Sequence, residues 1–176
     1  VANVAGRKNI ELAPEPDYPR PKDPEWAFLV TGYSECIDSF FAFGLFEVAR
    51  QSGYFPPELV ETFEPVIHEE GRHILFFVNW VAWHRRNMPL WRRPWFELKV
   101  LAVWAFLVFE RIGIATDVSN GVQDNNFTVT GASQLGDDID VFRLIDVCLA
   151  ENARRLGSYD ERLKRPRFVP FMTRTF

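Results

Sequence analysis

The feature of this sequence that most restricts its fold is an apolar helical stripe interrupted by a carboxylate and an imidazole. Phe63, Val66, Glu70, His73, Phe77 and Trp80 recur at alternating spacings of three and four residues, the period that places side chains on one face of an α-helix. Four of these six are large hydrophobes, so the pattern predicts a stripe that enters a core with Glu70 and His73 at its centre. An unpaired carboxylate in such a place costs several kcal/mol. A metal ion bound by the Glu-x-x-His pair, through a carboxylate oxygen and an imidazole nitrogen, would compensate it.

Punctuation along the chain divides it into helices. Asp23-Pro24-Glu25 is a helix start, with Asp23 as N-cap, proline in the first turn and Glu25 at the positive end of the helix dipole. It predicts a first helix from Pro24 to Ser52, stopped by Gly53. Pro65 deep inside a helix would break it, so a short turn or helix is expected over Pro57–Thr62 and the main second helix from Phe63 to near Arg86. A third helix is expected from Pro94 to about Ser119, then a polar loop over residues 121–136, then a fourth helix from Asp137 to Leu156. The expected organisation is an extended Pro-rich arm (residues 1–22), a helical bundle (23–158) and a basic, aromatic tail (159–176) in which Pro166 and Pro170 preclude a long helix.

Each expected helix carries one carboxylate within an apolar stripe: Glu35, Glu70, Glu110 and Glu151, separated by one helix and its loop each time. Four long helices predict an all-α, antiparallel bundle. On these residues the chain resembles the ferritin-like di-iron carboxylate superfamily, from about Trp26 to Leu156. That pattern takes one Glu from each of two helices and a Glu-x-x-His from each of the other two. The resemblance implies a ferritin-like four-helix bundle with Glu35, Glu70, His73, Glu110 and Glu151 as ligands of two iron ions, with manganese as the alternative metal. Two departures stand out. Arg154 occupies the place of the second His, and Arg cannot ligate a metal, which leaves nitrogen for one ion only. His68 points away from the Glu70 face and His84 lies about three turns beyond His73. The link from Asn87 to Arg93 is also too short to cross a bundle at about 3.3 Å per residue. Either the second helix ends near Asn79 and the Trp-rich stretch crosses over, or the bundle runs up and down.

The resemblance implies an oxidase or oxygenase acting on a small or lipid-like substrate. The alternative is a metal-free ferritin-like scaffold or interaction protein. Arginine would then neutralise the carboxylates: Arg154 and Arg155 stand beside Glu151, and Arg72, Arg111 or Tyr33 are alternative partners for Glu35 and Glu110. Two clusters are rich in arginine and aromatics, one from Trp80 to Trp95 and one from Arg154 to Phe171. In an up-and-down bundle they share one end, a rim suited to an anionic membrane surface, a phosphate-bearing substrate or an acidic partner, or to a homodimer contact. Composition narrows the rest. A net charge of −4 gives no footprint for nucleic acid. With 17 Phe and 6 Trp the chain can bury a sizeable core. Cys36 and Cys148 make no disulfide framework and read as small core residues. The longest apolar run, Val100 to Phe109, is about half of a membrane span. A cytoplasmic protein, or one attached to the inner membrane surface, is expected. The first residue is Val rather than Met, which is compatible with a helix missing upstream.

Overall fold

The computed structural model describes residues 19–53, 55–119 and 141–175, with the side chains of residues 114–119 and 141 left aside. All regular structure among these residues is helical. Helix α1 spans Pro24–Ser52, capped by the Asp23 side chain accepting from the Trp26 N–H and closed by Gly53 in the left-handed conformation (φ 67°). Helix α2 spans Pro57–Asn87, a 3-10 turn covers Leu90–Arg92, and α3 runs Arg93–Ser119. Helix α4 is Val141–Gly157 and α5 is Phe168–Thr175. The arm up to residue 18, the loop over 121–136 and the expected start of the fourth helix fall outside the described residues; residues 19–22 are exposed and irregular.

Helix α1 is the hub, and all four other helices pack on it. It is buried on several sides because it is apolar nearly all round: Leu29, Cys36, Phe40, Phe43, Leu45 and Ala49 are all buried. One core joins α1, α2 and α3 through Leu29, Phe43, Ile74, Phe77, Phe96, Val103 and Leu107. A smaller one joins α1, α4 and α5 through Phe40, Cys148 and Val169. Two glycines permit the closest approaches. A methyl group at Gly32 would lie 2.1 Å from the Phe77 ring, and one at Gly44 would lie 2.2 Å from Cys148 Sγ and 2.9 Å from its Cα. The second contact sets how closely α4 crosses α1.

The structure corrects the sequence reading at several points. The second helix starts at Pro57 rather than Phe63 and passes through Pro65 without a break. The proline removes one intrahelical bond, but the Glu61 carbonyl it orphans lies on an exposed turn open to water. Helix α2 then continues to Asn87 and turns directly into α3. Lys99 reaches Asp23 and Glu25 while Arg111 reaches Ser34 and Asp38, so α3 runs parallel to α1. These three helices are therefore up-down-up, with no crossover. The tail packs against the helices. Asn79 exchanges two hydrogen bonds with the Lys164 backbone, and Val169 is buried beside Phe40. The second basic cluster is spread along α2: Arg155 binds Glu64 near its start, whereas Lys164 meets Asn79, one turn before Trp83.

Adding a methyl group at Gly44 forces backbone apart, not merely a flexible side-chain tip. Gly44→Ala is expected to destabilise the protein by about 1–3 kcal/mol, seen as a lower urea midpoint with an unchanged slope.

Candidate metal centre

The Phe63–Trp80 stripe enters the core only at its far end. Phe63 and Val66 are exposed, Phe77 is buried and Trp80 half-buried, and the face of α2 turned to the core is centred on Ile67, Gly71, Ile74 and Val78. The helix is rotated by about one residue position from the expected register. Glu70 and His73 consequently stand at the edge of the α1–α2 interface, with side chains 36% and 61% exposed. The premise of a deeply buried, uncompensated carboxylate is removed. A different feature replaces it.

Across that edge, α1 presents Glu35 to the Glu70–His73 pair. One ligand atom from each of Glu35, Glu70 and His73 lies within 4.8 Å of the other two. Antiparallel packing of α1 and α2 produces the meeting: Phe77 rests on Gly32, one turn before Glu35, and is one turn beyond His73. Within α2, the three-residue spacing puts His73 Nδ1 3.4 Å from Glu70 Oε2. Partial burial pushes the Glu35 carboxyl above its ordinary range, the nearby Glu70 adds to this, and His73 works against it. Among the described residues no hydrogen-bond donor reaches the Glu35 carboxylate. Two carboxylates and an imidazole converging with no donor on Glu35 fit a divalent cation, which would lower the repulsion and use all three groups as ligands.

The other two expected ligands are elsewhere. Glu110 is exposed and pairs with Arg111 at 2.8 Å, while the same Arg111 holds Asp38 at 2.9 Å. Helix α3 buries Val103 and Leu107, but its stripe has left the core one turn later at Glu110. Glu151 is buried and fully engaged by arginine: Arg154 binds it at 2.6 Å and Arg155 at 3.2 Å. Arg155 is itself buried, extends to Glu64 at 2.9 Å, and lies over the Phe43 and Phe46 rings. His68 and His84, the substitute nitrogens, are also committed. His68 stacks on Tyr159, whose hydroxyl donates to the His68 carbonyl. His84 stacks on Trp80 and bonds to Glu25 at 2.9 Å.

Two groups escaped the sequence reading. Glu25 collects Lys99 and His84, 74 and 59 residues away; burial pushes its carboxyl up, but those two partners hold it below its ordinary range. Glu47 is buried and bound by Arg50 and Gln51. The Arg50 pair, three residues away, was legible as a helical ion pair; the Glu25 cluster had no local signal.

No family model, curated protein or solved structure matches this chain.

A carboxyl with a raised folded pKa stabilises the protein below its unfolded pKa, and that contribution is lost as pH rises through the folded value. Metal-free Glu35→Gln is therefore expected to melt higher than the parent at neutral pH, with the difference closing on acidification, as followed by thermal denaturation in chelator. Arg155→Met leaves Glu151 buried with Arg154 alone, and is expected to cost about 2–4 kcal/mol in denaturant titration.

Proposed function

We propose that this protein holds one iron or manganese ion per chain at Glu35, Glu70 and His73 and serves oxidation chemistry on a small, apolar substrate. The observation that carries the reading is the convergence of one nitrogen and two carboxylate ligands from two helices around a single point. A carboxylate-rich set with one imidazole suits iron or manganese, and such an ion supplies electron transfer and oxygen activation when bound. The chain's own part is defined by position. Glu70 and His73 are locked in register by the helix, and Glu35 approaches from the antiparallel neighbour, so three ligands are organised before any ion arrives. Their half-exposed edge leaves room for water and substrate on the outer side. Because the ligands bind in their deprotonated forms, metal uptake releases protons and strengthens as pH rises. A groove of about 430 Å³ between α2 and the Tyr159–Leu163 segment, mostly apolar but with Arg72 and Asn79 in its lining, contains none of the three ligands and would take an apolar molecule.

The ferritin-like, two-ion reading is supported by the helical fold and by the placement of Glu35, Glu70 and His73. The distance of Glu110 and Glu151 from that point favours one ion over two. The metal-free scaffold has one observation in its favour. Arg155 binds Glu151 and Glu64 together, which is how a bundle would neutralise carboxylates without metal.

Elemental analysis of protein loaded with Fe(II) or Mn(II) separates these readings. About one ion per chain is expected, lost in Glu35→Ala and His73→Ala and retained in Arg155→Met. Metal at about 100 times its dissociation constant should add about 2.7 kcal/mol of stability to the parent and nothing to the two ligand variants. About two ions would restore the di-metal site, and none would leave the scaffold.

A further inference from the structure

Helix α3 is built inside out. From Pro94 to Phe109 its two charged side chains are turned inward or sideways: Lys99 binds α1, and Glu97 binds Arg85 of α2. Its buried face is Phe96, Val103 and Leu107, with Val100 partly covered. The opposite face carries no charge from Pro94 to Phe109. Trp95, Leu98, Leu101 and Phe109 on it are 55–74% exposed, and Ala102 and Ala105 are exposed between them. At about 1.5 Å per residue this apolar face is about 22 Å long. Monomeric proteins rarely leave so continuous an apolar strip in water.

The end of that strip says what covers it. At the α2–α3 turn, Trp83, Leu90 and Trp91 are 60–73% exposed, next to Trp95. Arg85, Arg86, Arg92 and Arg93 crowd the same turn. The facing acids are few and already engaged: Glu97 by Arg85, Glu25 by Lys99, His84 and Arg92, and Asp23 by Lys99. Arg86 has no carboxylate partner among the described residues. A chain of net charge −4 thus concentrates cations where its exposed tryptophans are. Tryptophan and arginine beside an apolar helical face form the composition that settles at the boundary between headgroups and acyl chains, and anionic lipids attract the arginines.

We propose that α3 and the α2–α3 turn dock flat on an anionic lipid bilayer, with the Trp95–Phe109 face sunk to the acyl boundary and the turn arginines on the headgroups. No described helix is long and apolar enough to cross a membrane, so the attachment lies in the membrane plane. It does not depend on the metal centre, whose Glu35, Glu70 and His73 belong to the α1–α2 edge.

Flotation of the full chain with vesicles tests this. The parent should float with phosphatidylglycerol–phosphatidylcholine vesicles, much less with phosphatidylcholine alone, and high salt should weaken it. Leu98→Glu with Phe109→Glu should abolish flotation while leaving the helical circular dichroism intact, because both sites are exposed. Arg86→Gln, which leaves the apolar face whole, should weaken anionic binding about fivefold. Absence of flotation with anionic vesicles would overturn the proposal. So would a lipid-free dimer that Leu98→Glu with Phe109→Glu dissociates and that ignores vesicles, since a second copy would then cover the face.

Discussion

Everything in this fold depends on α1 being accepted as a neighbour on several sides at once. Its residues are apolar nearly all round, and its two close contacts are made where it has no side chain, at Gly32 against Phe77 and at Gly44 against Cys148. The first contact fixes the height of α2 against α1 and so decides that Glu35 meets Glu70 and His73. The second brings α4 close enough for Arg155 to reach past the Phe43 and Phe46 rings to Glu64. Both the candidate metal centre and the buried arginine network follow from packing around this one helix.

The two sites treat the same electrostatic problem in opposite ways. Glu151 is buried and has two arginines, so its charge is neutralised by the protein itself. Glu35 is partly buried beside a second carboxylate, and among the described residues it has only His73 to oppose the repulsion. A carboxylate left in that condition is where an external cation gains most. Position relative to the core, rather than residue type, separates structural carboxylates from candidate ligands here.

Helix α3 shows a second consequence of a one-sided neighbourhood. Its main contacts are with α1 and the preceding turn, so one face suffices for folding and the opposite face is open to another use. The uncharged strip and the arginines at its end give that face the chemistry of a bilayer boundary. The α1–α2 edge and the outer face of α3 share no residue, so the two proposed uses do not compete.

The sequence by itself determined the local structure. The Asp23 cap, the Gly53 stop, the short link from Asn87 to Arg93 and Pro94 placed α1, the α2–α3 turn and α3 to within a residue or so, because capping and proline geometry act over one turn. It also determined that Glu70 and His73 share a face, since helical spacing alone requires it. Only the tertiary structure decided which way that face looks. The Gly32–Phe77 contact holds the far end of the stripe in the core, while Phe63 and Val66, nearer the start of α2, lie in solvent. The partners of Glu25, Glu64 and Glu151 were settled in the same way, by approaches between residues distant in the chain, or by burial that makes a nearby ion pair matter. Pro65 within α2 was a failure of a local rule, since an exposed turn lets water take the bond that proline gives up. Local chemistry wrote the helices; the close approaches to α1 chose which of their charges face a neighbour, an ion or the outside.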